Sequence, residues 1–306
     1  MTLTTSTDIQ KKQYKIADII LQINYPIVLD LEKLLPTFRD FEWREHSSNP
    51  VIQVNLTTDK APVEPDMGML RSDLSISWGD RFCFYEKEEG YITTIVNEQG
   101  NELWYLYSER NFAQSTVYIP ESNDYEQSTV ICWMLMMIFG QAALLHEIIM
   151  IHGSVINLKG QGIAFLGKSG TGKSTHSRLW LNHIAETSLL NDDNPAIRVT
   201  ARGVLIYGTP WSGKTPCYKN EAILLKAFVR LQQAPENKFE ALQGVKGFIA
   251  VLPSCSAIRW NKDLFAEMNT TLEKVIAKVP VGFLKCLPDQ EAAQLCHDRI
   301  VDIAVK

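Results

Sequence analysis

The sequence carries little net charge. Its 30 lysine and arginine residues stand against 35 aspartate and glutamate residues, which gives a formal net charge of −5. A charge of this size and sign gives no general attraction to nucleic acid or to an anionic membrane, and it leaves only a local basic patch open. With 45% hydrophobic and 21% charged residues, the composition is that of a globular protein and excludes the disordered, collagenous and coiled-coil classes.

Closely spaced cysteines are also missing. No two cysteines form a C-x-x-C pair, and none has metal-ligand spacing to a cluster of histidines. The N-terminus lacks a basic segment followed by an apolar one, so we expect a cytoplasmic protein and not a secreted one. The six cysteines, expected to be reduced thiols, are Cys83, Cys132, Cys217, Cys255, Cys286 and Cys296.

Long hydrophobic runs are scarce as well. The run Val130–Gly140 is interrupted by Gln141 and closed by His146 and Glu147, which leaves it short of the roughly 20 apolar residues that a spanning helix needs. We therefore expect a buried helix and no membrane partner.

The first part of the chain reads as a β-rich region. Short runs rich in β-branched and aromatic residues are separated by turn residues, a pattern typical of antiparallel strands joined by hairpins. We expect this region to cover residues 1–125. The runs are Val51–Leu56, Leu74–Trp78, Arg81–Tyr85, Tyr91–Val96, Glu102–Tyr107 and Thr116–Ile119.

The second part, residues 126–306, alternates strands and helices after a long first helix at about 128–149. Such alternation predicts an α/β domain whose sheet is covered on both faces, so the whole chain is expected to be α/β, or α+β overall. The expected strands are Ile151–Leu158, Gly162–Leu166, Ser188–Leu190, Ala196–Val199, Val204–Tyr207, Leu224–Leu231 and Val281–Leu287. Helices are expected over Ser174–Ile184, much of Phe239–Val251, Lys262–Lys278 and about 289–304.

One motif carries clear chemistry. Residues 167–174 fit G-x-x-x-x-G-K-[ST], the P-loop, in which glycines let backbone N–H groups surround phosphate oxygens at the start of a helix. Lys173 would reach the outer phosphates and Ser174 would bind Mg²⁺. An apolar strand precedes the motif and a helix follows it, as a P-loop requires. The predicted phosphate-binding residues are Gly167, Ser169, Gly170, Thr171, Gly172, Lys173, Ser174 and Thr175.

An acidic pair follows the next short strand. Asp192 and Asp193 lie between Asn191 and Asn194. Two carboxylates beside a P-loop supply what phosphoryl transfer needs, one to hold Mg²⁺ and one to accept the proton of an attacking hydroxyl. The same residues also make good turn chemistry, so a solvated turn is the alternative.

A second glycine-rich segment, residues 208–215, also matches the P-loop pattern. Pro216 follows it directly and no helical periodicity comes next, so we do not expect a second nucleotide site. We expect a loop that brings Lys214 close to the first site as a catalytic cation. An ordinary surface turn is the alternative.

The residues from His152 to Ser174, followed by Asp192 and Asp193, resemble the catalytic core of bacterial HPr serine kinase/phosphorylase. They are also similar to ATP-dependent phosphoenolpyruvate carboxykinase, which shares that core. The resemblance is strong over about 150–215, looser to the C-terminus, and absent from the first 120 residues. It implies a P-loop domain of this kind, with Lys173 on the phosphates and His152 in the active site, where His152 alone would read as an ordinary core or capped histidine.

By the same resemblance, Asp192 activates the acceptor serine, and Ser174 and Asp193 hold the metal. The implied activity is an ATP- and Mg²⁺-dependent kinase that phosphorylates a serine-type hydroxyl on a protein, peptide or small molecule. Alternatives are a nucleotide-binding regulatory or maturation-accessory protein without phosphoryl transfer, and a carboxykinase-type lyase. Residues Gln233–Asn237 could line the nucleotide or acceptor site, and a homo-oligomer is left open.

Overall fold

The computed structural model of the protein describes residues 8–45, 49–62, 66–75, 81–96, 103–120, 127–213 and 215–302. The chain divides into two compact units, Met1–Ala142 and Ala143–Lys306. Both contain a large β-sheet together with helices, so the expected mixture of α and β structure is confirmed. The boundary expected at residues 125/126 would place the helix Gln127–Ala142 in the second unit, whereas it packs within the first.

The first unit is an eight-stranded sheet in the order β1-β2-β3-β8-β7-β6-β5-β4. In β3 the side chains of Ile52, Val54 and Leu56 are buried and those between them are not, which is the alternation of a sheet with one covered face. The strands are β1 Ile9–Ile16, β2 Ile19–Pro26, β3 Ile52–Thr57, β4 Met69–Ser75, β5 Arg81–Glu86, β6 Gly90–Val96, β7 Leu103–Glu109 and β8 Gln114–Tyr118.

Two pairings in this sheet differ from the expected succession of hairpins. Strand β3 pairs parallel with both β2 and β8. The β2–β3 pair can be parallel because the chain leaves the sheet after β2 through helix α1 (Leu31–Leu34) and the 3₁₀ helix Pro36–Phe41. Phe38 and Phe41 of that excursion are fully buried. Residues 76–78 and Glu102, at the ends of two expected strands, lie outside the described residues.

Helix α2 (Gln127–Ala142) is the apolar helix expected from the sequence. The hydroxyl of Ser128 donates to the carbonyl oxygen of Leu34, and the ring of Trp133 packs edge-on against Phe82. In the described part of the chain, Gln127–His146 is the single segment long and apolar enough to cross a membrane, and 61% of its most apolar window is buried in the protein. A core helix meets the same criteria.

The expected helix 128–149 is too long. After α2 the chain forms a 3₁₀ turn over Ala143–His146 and then strand β9, Ile148–Met150. Glu147 between them has a φ of +57°, a left-handed conformation that no α-helix continues through. The apolar run therefore supplies a helix followed by an edge strand, and not one continuous helix.

The second unit is built on a nine-stranded mixed sheet. Its long strand β15 (Ala222–Gln233) pairs parallel with β11 (Gln161–Leu166) along one side. On the other side it pairs first with β14 (Gly203–Tyr207) and then with β17 (Val281–Cys286). The other strands are β10 Gly153–Leu158, β12 Thr187–Asp193, β13 Ala196–Thr200 and β16 Lys238–Leu242.

Helices cover both faces of this sheet, as expected. Val229 and Leu231 of β15 point into the core that contains Trp180 of helix α3, whereas Arg230 between them donates to the carbonyl oxygen of Ala250 in helix α4 on the opposite face. The helices are α3 Lys173–His183, α4 Val245–Val251, α5 Lys262–Ile276 and α6 Gln290–Asp302.

The expectation of helix over much of Phe239–Val251 is wrong in its first half. Residues Lys238–Leu242 form β16, which pairs antiparallel with β17. Gly244 then adopts a φ of +52°, and α4 begins after it at Val245. A tertiary pairing with β17 therefore overrides the local helical pattern.

Phe165 anchors the core beneath the glycine-rich loop, because its ring is fully buried and lies 4.7 Å from His176 and 5.5 Å from Trp180. We expect Phe165→Ala to lower the free energy of unfolding by about 3–5 kcal/mol. Urea denaturation followed by tryptophan fluorescence measures this. Leu181→Ala, at a residue 37% exposed, is the control and should cost less than about 1 kcal/mol; equal losses would contradict the assignment of the core.

Candidate functional site

The loop from Gly167 to Gly172 joins β11 to α3, which is the strand, loop and helix order predicted from the sequence. Gly170 and Gly172 have φ values of +77° and +103°, which other residues rarely adopt. Gly172 is the N-cap of α3 and has no side chain to cap the helix. The first N–H groups of α3 therefore point into the loop without a side-chain cap, an arrangement that suits anions.

Lys173 lies inside this loop. Only 8% of the residue is exposed, and its Nζ donates to the carbonyl oxygen of Gly167 at 3.2 Å. Nζ also lies 2.9 Å from Nε2 of His152. Burial lowers the pKa of the Lys173 ammonium, and the nearby Asp193 and Asp192 oppose this effect. The lysine thus places a cation where the loop would hold phosphate.

His152 links this lysine to one of the two aspartates. Its Nδ1 lies 2.9 Å from Oδ1 of Asp193, while Nε2 faces Lys173. The tautomer that satisfies both bonds has its proton on Nδ1 and accepts from the lysine through Nε2. Burial alone would raise the pKa of Asp193, but the hydrogen bonds from His152 and Asn194 outweigh it and the pKa is lowered. Asp193 is therefore a carboxylate held in place by two donors.

Asp192 contacts Ser174, whereas Asp193 contacts His152. Its Oδ1 accepts a hydrogen bond of 3.0 Å from the hydroxyl of Ser174, and the residue is 3% exposed. The pairing of β12 with β10 places Asp192 opposite Ser154, whose hydroxyl in turn lies 2.7 Å from that of Ser177 in α3. The family resemblance implied Ser174 and Asp193 as the metal ligands, whereas the structure places Asp192 beside Ser174.

The second glycine-rich loop lies against the aspartates. The hydroxyl of Ser212 donates to the backbone oxygen of Asp192 at 2.9 Å. A Cβ on Gly213 would lie 3.1 Å from the Cβ of Asp193, so a larger residue at this position would have to displace the aspartate by a few tenths of an ångström. Lys214, the expected catalytic cation, lies outside the described residues.

Asn191 bonds to the second glycine-rich loop, and it was not singled out from the sequence. Its fully buried amide nitrogen donates to the carbonyl oxygens of Trp211 at 3.1 Å and Thr209 at 3.3 Å, and its oxygen accepts from the backbone of Asn194. The only sequence signal for it was its place beside the acidic pair. One buried amide therefore connects the end of β12 to the segment that carries Ser212 and Gly213.

Comparison with known proteins finds a structural likeness but no match in sequence. No family model matches the chain, and no curated protein matches its sequence. Among solved structures, the chain is similar to the structure of the Hpr(Ser) kinase/phosphatase from Coxiella burnetii, with a TM-score of 0.31 and 10% sequence identity over 50% of this chain and 88% of that one. At that score the likeness carries no argument about function.

The two ends of the candidate segment Gln233–Asn237 have different partners, and His176 near the glycine-rich loop belongs to the core. The Nε2 amide of Gln233 donates to the carbonyl oxygen of Gly170 at 3.2 Å and therefore borders the loop, whereas Asn237 bonds to Asp289. His176, in the first turns of α3, is buried, accepts a hydrogen bond from Trp180, and burial lowers its pKa to about 4. It is a neutral core histidine.

A metal at this site would have few protein ligands. In the described ranges no group of three or more histidine, cysteine, aspartate or glutamate side chains could hold an ion. Ser174 Oγ and Asp192 Oδ1 nevertheless lie 3.0 Å apart, close to the roughly 2.9 Å between adjacent oxygens of an octahedral Mg²⁺ site. Two oxygen ligands suit Mg²⁺, which takes its remaining ligands from water and substrate phosphates.

The role of Asn191 can be tested through stability. Asn191→Asp replaces the donor with a buried carboxylate that repels the adjacent acidic pair, so we expect a loss of at least about 2 kcal/mol in the free energy of unfolding. Asn191→Ala should cost about 1–3 kcal/mol. Asn157→Ala, which removes an acceptor for Gly160 in an exposed turn, is the control. Urea denaturation measures the free energy of unfolding of the three variants. Equal stability of all three would contradict the role assigned to Asn191.

Proposed function

We propose that the protein is an ATP- and Mg²⁺-dependent kinase that transfers the γ-phosphoryl group to a serine-type hydroxyl of a protein, peptide or small molecule. The observation that carries the proposal is the convergence of three features at the end of β11: a glycine loop around Lys173, the Ser174–Asp192 pair, and the His152–Asp193 pair. The resemblance of residues 150–215 to HPr serine kinase/phosphorylase supports it.

The loop would bind the triphosphate of ATP. Backbone N–H groups of residues 167–175 and the start of α3 favour anions, and Lys173 Nζ would exchange its carbonyl partners for phosphate oxygens. Only 8% of Lys173 is exposed. Its ammonium has therefore already lost most of its contact with water, so binding phosphate adds little further desolvation cost. Charge-assisted bonds of this kind are the strongest hydrogen bonds in proteins.

Ser174 and Asp192 would hold Mg²⁺. The ion, when bound, neutralises charge on the β- and γ-phosphate oxygens. This assignment exchanges the roles that the sequence resemblance gave to the two aspartates, because the hydroxyl of Ser174 meets Asp192 and not Asp193.

Asp193 would then receive the proton. As the acceptor oxygen bonds to the γ-phosphorus and the bond to the bridging oxygen of ADP breaks, the hydroxyl proton passes to the Asp193 carboxylate. His152 orients that carboxylate through its Nδ1 and contacts Lys173 through Nε2. The histidine therefore couples the proton acceptor to the lysine that binds phosphate.

Lys214 keeps its expected role as a cation over the transferred phosphoryl group. The positions of Ser212 and Gly213 against Asp192 and Asp193 support this. Such a charge acts mainly in the transition state.

The rival accessory function fits the site less well. A nucleotide-binding accessory protein needs the loop but not a second carboxylate oriented by histidine. Incubation of the protein with γ-labelled ATP and cell lysate, followed by mass spectrometry, tests the difference. We expect labelled serine with the wild type and none with Lys173→Ala. Tight ATP binding without label transfer to any acceptor would contradict the kinase proposal and favour the accessory function.

Loss of the loop lysine should weaken nucleotide binding strongly. We expect Lys173→Ala to weaken Mg·ATP binding by about 10²-fold or more, because several charge-assisted hydrogen bonds are lost. Isothermal titration calorimetry measures this. Lys159→Ala, at an exposed lysine paired with Glu186, is the matched control and should bind as the wild type does. Unchanged affinity in Lys173→Ala would contradict the phosphate site.

Substitution of the two aspartates should change the effect of Mg²⁺ on ATP affinity differently. We expect Asp192→Asn to lose most of the Mg²⁺-induced gain in ATP affinity, because a carboxylate ligand becomes a neutral amide. Asp193→Asn should keep that gain and lose phosphoryl transfer by about 10²–10⁴-fold. Calorimetry with and without Mg²⁺ distinguishes them. The opposite result, with Mg²⁺ dependence lost only in Asp193→Asn, would restore the assignment made from the sequence.

A further inference from the structure

We propose that a cavity of about 520 Å³ beside α3 holds the adenine base and ribose of ATP. The inference rests on the proposed function and adds to it the place and chemistry of the nucleoside. Its walls come from the loop, the first turns of α3 and the ends of β15 and β17. The residues used below are Gly172, Thr175, Leu179, Leu231, Ala234 and Leu287.

The position of this cavity follows from the direction of the triphosphate. Ser174 meets Asp192 on the β12 side of β11, whereas β15 and β17 lie on the other side of β11. A triphosphate with its γ-end at Asp192 must therefore run back across the N-terminus of α3 toward β15. Gly172 and Thr175 form the near wall of the cavity, so the nucleoside reaches it directly.

The chemistry of the walls suits a neutral aromatic ring. Leu179, Leu231, Ala234 and Leu287 provide apolar contact, and the lining contains no carboxylate, ammonium or guanidinium group. Binding sites for small molecules are mostly apolar with few polar groups. A lining without charged groups therefore suits the base and ribose of the ATP in the proposed function better than it suits phosphate.

A second cavity, of about 470 Å³, lies against the same loop and shares Gln233 with the first. It is lined by Lys168, Arg230 and Gln232. Two cations and a polar amide suit an anion better than a neutral base. This cavity is therefore the alternative that the experiment must exclude.

The experiment compares Mg·ATP with Mg·tripolyphosphate, which has the phosphates but no nucleoside. Ala234→Trp fills the first cavity and Gln232→Trp the second. We expect Ala234→Trp to weaken ATP binding by about tenfold or more, the scale of losing contact with one buried apolar group, with tripolyphosphate binding unchanged. Gln232→Trp should alter neither affinity.

A second pair of variants does not depend on a large side chain. Leu287→Asp changes a cavity residue that is 38% exposed, and Leu181→Asp changes a leucine of α3 that is 37% exposed and does not line the cavity. Only Leu287→Asp should weaken ATP binding selectively over tripolyphosphate. Both positions are partly exposed, so we expect both variants to fold, and circular dichroism checks this.

Three results would overturn the inference. They are a wild type that binds ATP and tripolyphosphate with equal affinity, a selective loss in Gln232→Trp in place of Ala234→Trp, and an equal loss of both ligands in the cavity variants. A wild type that binds neither ligand would instead contradict the proposed function itself, and the nucleoside site with it.

Discussion

A buried ammonium group must be paired, and the pairing of Lys173 governs the rest of this site. Its Nζ is held by the carbonyl oxygen of Gly167 and by His152, which is held in turn by Asp193. Loss of His152 would leave the Lys173 ammonium, which is 8% exposed, with backbone carbonyl partners alone, and it would leave Asp193 without one of its two donors. The loop, the histidine and the aspartate are therefore one electrostatic unit, and the fold has to bring three separate segments of chain to one point.

The sheet of the second unit meets that requirement through β10. Its pairing with β11 places Gly153 opposite Leu166, directly before the loop, and its pairing with β12 places Gly153 opposite Asp193. His152, one residue earlier, is thus brought between the loop and the acidic pair. The contact between Ser154 and Ser177 fixes α3 over the same strand. Asn191 then connects the end of β12 to Ser212 and Gly213, so the second glycine-rich loop shares the same support.

Much of this could be predicted from the sequence, because the loop is a local feature. Glycine spacing and the apolar strand before it predicted the strand, loop and helix order. The partners of Asp192 and Asp193 could not be predicted, since they depend on the register of β12, which shifts between Val155 and Ile156 of its partner strand. Contacts between distant parts of the chain also decide three other features that the sequence did not predict. They are the backbone-carbonyl partners of Asn191, the parallel pairs of β3, and the strand at Phe239, where pairing with β17 overrides the local pattern.

A crystal structure of the protein with Mn²⁺ in place of Mg²⁺ and a non-hydrolysable ATP analogue tests the proposed site most directly, since anomalous scattering locates the metal. We expect the phosphates within residues 167–175, Lys173 on their oxygens, and the ion on Ser174 and Asp192. Metal bound by His152 and Asp193 with no nucleotide in the glycine loop would contradict it.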